Sequence, residues 1–363
     1  MKVKDESLIG TLAVLGIAAA LAYLGPEPAN PPGRLKARSD EKAPELDALS
    51  SGRGRHAQSP AGIPARGWKD IVWRTYEQIN EDRLLAVAAG VVFYGLLALF
   101  PAITALVSSY ALFADVKTVN DHITFLSEFL PQGTFSIVQE QVARVLSKGE
   151  LKLGGTFLAS LLLAIWSANG GVKAIIDALN VVYDEKEKRG FFKLNAVSLA
   201  FTVAGVAGIL TAIGLVVAAP LILSMIGLQS STDLLIRYGR WPLLAVLLLL
   251  GLAVLYRYAP SRRSPKWRWI SVGSVVATFT WMIGSGLLSY YLANFGNYDA
   301  TYGSLGAAIA LMIWMWMSTI VVLFGAELNS EIEHQTAADS TTGLEKPLGS
   351  RGAKMADTLG GSR

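Results

Sequence analysis

Residues 155–189 read GTFLASLLLAIWSANGGVKAIIDALNVVYDEKEKR, an apolar run that carries an Asn, a Gly pair, a Lys and an Asp before it reaches a charged exit. About 20 apolar residues in helical conformation cross a hydrocarbon core, and this stretch reaches that length with residues to spare. Runs of the same kind occupy residues 8–24, 84–113, 197–228, 241–258, 269–293 and 304–328. None alternates apolar and polar side chains as a membrane barrel strand of about ten residues would. The expected fold is therefore all-α, a polytopic transmembrane helix bundle with six core helices plus an accessory N-terminal anchor at residues 8–24.

Composition points the same way. The chain has 363 residues, 52% of them apolar and only 17% charged, against roughly 25% charged in soluble domains. The runs at 84–113, 155–183 and 197–228 are too long for one straight crossing; Pro101, the Gly170 and Gly171 pair and Pro220 each offer a place where the excess is absorbed. There is no cysteine, which removes disulfides, thiolate metal sites and a Cys nucleophile from consideration.

Lys and Arg collect on the cytoplasmic side of membrane helices. Arg66, Lys69, Arg74 and Arg83 precede the run at 84–113; Lys186, Lys188, Arg189 and Lys193 follow the opening stretch; Arg257, Arg262, Arg263, Lys266 and Arg268 separate the runs at 241–258 and 269–293. The intervening connections are poorer in basic residues, and residues 294–303 have none. All six main runs fit this alternation, which places both ends of the six-helix unit in the cytoplasm.

The chain divides into an anchor at 1–25, a linker at 26–67, the six-helix domain at 68–333 and a tail at 334–363. The linker is rich in Pro, Gly, Ser and mixed charge and the tail is small and polar, so both are expected to be disordered. Residues 68–83 space Trp68, Ile71, Val72, Thr75, Tyr76 and Ile79 as an amphipathic interfacial helix. Residues 135–146 carry a second such stripe on the external side.

The blocks AAGVVFYGLLALFPAITALVS, WSANGGVKAIIDALNVVYDEKEKRGFFK and YGSLGAAIALMIWMWMSTIVVLFGAELNSEIE occur in that order. Together they resemble the YihY/BrkB family of bacterial inner-membrane proteins, formerly labelled ribonuclease BN, over residues 68–333. The resemblance implies a multi-pass protein of the bacterial cytoplasmic membrane, with a transport or lipid-export role. Its older label can be tested on the residues.

Protein-catalysed RNA hydrolysis needs clustered carboxylates and histidines for metal, or a His/Lys acid–base pair. The three histidines, His56, His122 and His334, fall in the linker, the external loop and the tail. The acid-rich pieces DEKEKR and ELNSEIE read as ordinary solvated helix ends. No GxxxxGKS/T phosphate loop occurs, and the glycines of GVAGILTAIG sit where small residues let helices approach closely. No catalytic residue, metal or cofactor is expected.

Lys173 and Asp177 are four apart, so they share a helix face and are placed to form an ion pair, with Asn169 and Asn180 on or beside that face. Counted back from Tyr183, Lys173 lies near the bilayer middle; counted forward from Gly155, it lies at the cytoplasmic surface. The Gly170 and Gly171 pair can loosen the helix and free backbone groups for a ligand. Glu327 at the end of the last run and Tyr94 in the first core run are candidates to converge there. Two readings of the stripe stay open: inter-helix packing, or a polar substrate pathway open to the cytoplasm. The expected partner is membrane lipid rather than nucleic acid, and a homo-oligomer stays open.

Overall fold

The computed structural model describes residues 52–111, 143, 150–213, 233–295 and 306–362, all within one compact unit. The described residues form eight α-helices, α1 (Ala65–Glu81), α2 (Leu84–Ala111), α3 (Glu150–Val182), α4 (Phe191–Ile213), α5 (Asp233–Tyr258), α6 (Trp267–Phe295), α7 (Gly306–His334) and the short α8 (Lys354–Asp357). No strand occurs among the described residues. The protein is a helical membrane bundle. Five helices, α3 to α7, are long and apolar enough to span a bilayer, and α2 supplies a sixth apolar helix. The anchor run at 8–24, the external stripe at 135–146, Pro220 and His122 lie outside the described residues.

Helices solve the bilayer problem because every backbone N–H and C=O is satisfied within the segment. Polar side chains inside the spans use the same device: Thr202 donates to Ser198 O at 2.9 Å, Ser274 to Ile270 O at 2.7 Å and Thr278 to Ser274 O at 2.8 Å. Large apolar groups such as Leu162, Trp166, Val203, Ile283 and Leu287 point outward, as a lipid-facing surface requires. α2 runs through Pro101 and α3 runs through Gly170 and Gly171 without a break.

α7 is the hub, packing on α1, α2, α3, α6 and α8. It crosses α6 in close contact at Gly273 and Gly325. A Cβ added to Gly325 would meet Tyr256 Oη at 2.6 Å and Gly273 O at 2.7 Å, and one added to Gly273 would strike Gly325 O and sit 2.6 Å from Asn329. Asn329 seals the crossing by accepting from Gly273 N at 2.8 Å and donating to Ile270 O at 3.2 Å. Gly273→Ala should therefore push α6 off α7 at a cost of ~1–3 kcal/mol, as overpacking does; a lowered unfolding temperature of the detergent-purified variant is the check.

The basic connections gather at one end of the bundle. Asn180 at the end of α3 accepts from Ser261 N at 2.7 Å, Arg189 reaches Ala259 O at 2.7 Å, Arg262 pairs with Glu333 and Arg74 with Glu331. The three Lys/Arg-rich segments thus lie on the same side, as their charge pattern predicts.

Composition misreads what covers this end. Residues 52–67 and 335–362, expected to be disordered, hold defined contacts. Ala337 N donates to Arg55 O at 2.8 Å, Lys266 N to Ser340 O at 2.7 Å, Gly360 N to His334 O at 2.9 Å and Lys354 N to Glu185 Oε1 at 2.7 Å. Met355 is fully buried in the same apolar cluster as Val182, Tyr183 and Tyr256. The C-terminal segment is a strap across the basic end, held by backbone hydrogen bonds and one apolar plug rather than by a helix with a readable stripe.

Candidate functional site

α3 ends in a Schellman turn: Glu185 N bonds Asn180 O at 2.8 Å and Asp184 N bonds Val181 O at 2.9 Å. Asp184 takes the left-handed conformation, φ 54°, that glycine usually fills. The turn sends DEKEKR back over the bundle end. There Glu187 accepts from Arg189 Nε at 2.8 Å, Arg189 N at 2.8 Å and Asn180 Nδ2 at 3.1 Å. Burial alone would raise the Glu187 carboxyl, but these donors outweigh it and hold it down at about 2. Such a group stabilises the fold fully above its ordinary value near 4.5, and that contribution is lost as pH falls toward 2. Between those values the wild-type melting temperature should fall more steeply than that of Glu187→Gln, which a pH series of thermal scans will show.

Lys173 sits about nine residues before Val182, ~14 Å of helix rise, within the span Leu158–Val182. It does not pair with Asp177. Its Nζ instead donates to Asn195 Oδ1 in the second turn of α4 at 2.7 Å. A Lys preceding its acid by four residues is the weaker order for a helix pair, and α4 supplies an amide oxygen within reach. Asn195 in turn donates to Phe191 O at 2.7 Å. The ammonium thus leans toward the basic end. Asp177 remains exposed on the same helix.

The other candidates divide between packing and this polar strip. Gly170 and Gly171 do not loosen α3; they let α2 come close, since a Cβ at Gly170 would meet the Tyr94 ring at 3.2 Å and one at Gly171 would meet Gly95 N at 3.9 Å. Tyr94 is therefore spent partly on that contact, although its ring keeps an exposed side. Asn180, buried and hydrogen-bonded to two loops, is a clamp. Asn169 faces the half-buried part of α3, and its Oδ1 carries no hydrogen bond. Glu327 is fully buried in α7, close enough to Tyr183 to act on it electrostatically.

ELNSEIE, read from sequence as a solvated helix end, is instead buried throughout, and it forms an ion-pair cluster that the residues did not suggest. Arg262 binds Glu333 through both terminal nitrogens at 2.8 and 2.9 Å, with both side chains fully buried, and Ser340 donates to the same carboxylate at 2.8 Å. The guanidinium also lies over the Tyr183 ring, 3.9 Å from its centroid. Burial works against the charge on Arg262, yet the Glu333 carboxylate holds it above its ordinary range. Beside it Arg74 Nε meets Glu331 Oε2 at 2.6 Å, Arg74 Nη2 meets Gln335 Oε1 at 2.8 Å, and His334 Nδ1 lies 3.3 Å from Glu331. One signal was available: Leu323, Ser330 and His334 recur with Glu327 and Glu331 on the face that buries Ala326, so the core stripe of α7 runs on into its charged end. Among the described residues, no three His, Asp or Glu side chains gather where they could hold a metal ion.

Residues 75–348 match the family described as Virulence factor BrkB. The chain belongs to the BrkB family. It is 32% identical over 251 residues to the ribonuclease-like protein YfkH of Bacillus subtilis, covering 67% of this chain and 88% of that one. It is 26% identical over 275 residues to a UPF0761 membrane protein of Cronobacter sakazakii, covering 73% and 88%. A UPF0761 membrane protein of Alteromonas mediterranea is 25% identical over 276 residues, with the same coverage. No solved structure matches the chain. The BrkB match spans α2 to α7 and therefore includes Lys173, Asn195 and the buried Arg262–Glu333 pair, while Arg74 lies just ahead of it. It is a multi-pass membrane protein whose relatives are bacterial.

Proposed function

We propose that this BrkB-family protein carries a lipid or other amphipathic anionic substrate across the bacterial inner membrane, with its basic end and C-terminus in the cytoplasm. The observation that carries this reading is Lys173: a cation inside a membrane-spanning helix whose hydrogen-bond partner is the neutral Asn195 rather than a carboxylate. A charge at that depth is costly and is the default mark of a functional site. An amide oxygen gives way to a phosphate or carboxylate more readily than a fixed counter-ion would, because the anion adds a full charge–charge attraction to the ammonium that a neutral carbonyl lacks. Asp177, exposed one turn further on, gives the strip an opposite charge with which an amine-bearing headgroup could be told from a purely anionic one.

A structural role without transport is the second reading, and it has its own support: Gly170, Gly171 and Asn180 are engaged in helix packing and loop clamping. The two readings part at Lys173, which a packing role needs only as a hydrogen-bond donor. The ribonuclease-like name of the Bacillus relative finds less support, since among the described residues His334 meets the single carboxylate of Glu331 and no three such side chains gather to hold a metal ion. The experiment is translocation of a labelled anionic phospholipid in proteoliposomes, wild type against Lys173→Met. No transfer by either folded protein would leave the structural reading ahead.

A further inference from the structure

Three arginines and two acids meet beneath the strap: Arg53, Arg55 and Arg74 with Asp70 and Glu331. Arg53 holds both oxygens of Asp70, at 2.6 and 2.8 Å, and Arg74 holds Glu331 at 2.6 Å. Arg55 is the cation left over. Its side chain is only 2% exposed, and its terminal nitrogens end on backbone carbonyls, Nη1 on Gln335 O at 3.2 Å and Nη2 on Gly360 O at 2.5 Å. Its Nε, also buried, carries no hydrogen bond. A buried guanidinium with one donor unused and only neutral acceptors is an unusual arrangement, because buried charges are ordinarily paired with opposite charge.

The strap fills the space that an anion would take. Arg74 Nη1 reaches Gly361 O at 3.0 Å, so two guanidiniums bind two consecutive carbonyls. Gly360 lies flat on Arg74; a Cβ there would come within 2.6 Å of its Cζ. We propose that Arg55 and Arg74 form a seat for a phosphate-class anion, occupied here by the Gly360 and Gly361 carbonyls of the strap, so that the anion and the strap compete. An oxyanion offers a full charge to the same donors and can also use Arg55 Nε, which the carbonyls leave empty. Burial and the neighbouring Arg74 charge, only partly offset by Asp70, lower the Arg55 guanidinium to about 10, so an arriving anion relieves the remaining repulsion between the two guanidiniums. Arg55, Arg74, Gly360 and Gly361 all lie outside the residues matched by the family. The seat is remote in sequence from the Lys173 strip, and its test does not depend on transport.

The chain contains no cysteine, so Met355→Cys introduces a single thiol, buried while the strap is seated. In zwitterionic nanodiscs, inorganic phosphate should accelerate maleimide labelling of Met355→Cys by about fivefold or more over chloride of equal ionic strength, a usual size for coupling between two ligands. Adding Arg55→Gln should remove that response. Gly360→Ala, which keeps both arginines but forces the strap off Arg74, should label fast without phosphate and bind phosphate more tightly by calorimetry. Acceleration by nanodiscs containing phosphatidylglycerol but not by free phosphate assigns the seat to a lipid headgroup; the reverse assigns it to a soluble anion. Labelling rates indifferent to both, or a phosphate response that survives in Arg55→Gln, overturn the proposal.

Discussion

Glu333→Gln is expected to destabilise the protein by about 3–5 kcal/mol, the usual cost of removing one partner of a buried ion pair. The amide keeps the shape of the carboxylate but not its charge, and Arg262 is left fully buried, its cation balanced by the Tyr183 ring face and the more distant Glu185 carboxylate. Ser340 loses a charged acceptor at the same time, which loosens the strap where it crosses the end of α7. Unfolding of the purified protein in detergent should therefore begin at a lower temperature and expose residues 335–362 to protease first. The double variant Arg262→Met with Glu333→Leu should recover much of the loss, because apolar residues of similar volume can replace a buried pair without leaving a stranded charge. If Glu333→Gln melts with the wild type, the pair contributes little and the strap is held by its backbone bonds alone.

Lys173→Met should lower transfer of an anionic phospholipid by roughly 10- to 150-fold, corresponding to the ~1.5–3 kcal/mol of a hydrogen bond to a charged group. Met keeps the length and apolar stem of Lys, so helix packing is preserved and only the ammonium disappears. Asn195 already donates to Phe191 O, and its freed oxygen lies close enough to the basic end for water to reach it. The folded protein should therefore be recovered in normal yield. Reduced transfer with unchanged melting temperature would support Lys173 as a substrate contact; equal loss of both would make it a packing residue.

The membrane helices were legible because a run of apolar residues is a one-dimensional signal, and residues 241–258 or 269–293 announce a span whatever lies beside them. Their ends were less so: α4 begins at Phe191 and α5 at Asp233, ahead of the apolar runs at 197 and 241, because a helix continues through polar residues once it has partners for them. The charged end of α7 was misread for a related reason. Glu331 and Glu333 are buried by Arg74 and Arg262, the first more than 250 positions away, and no local pattern foretells such a meeting. The strap was hidden more completely. Its grip is Arg side chains on carbonyls and one buried Met, none of which leaves a periodic trace, and its Ser, Thr, Gly and Ala content is what a solvated tail also uses. In the candidate strip, spacing found Lys173 and Asp177 on one helix, while the choice between Asp177 and Asn195 as partner rested on how close α4 comes.

The strap also sets an order of events in the making of the protein. Residues 335–362 follow every described membrane span in the chain, yet their binding sites lie on Arg55, Arg74, Glu185 and Lys266. Until they dock, Arg55 lacks its acceptor at Gly360 and the cavity for Met355 stands open. A chain emerged only as far as α7 thus has every described span but an uncovered basic end, with exposed core for a protease to read. Docking of residues 335–362, rather than insertion of α7, is the step at which the basic end of the bundle closes.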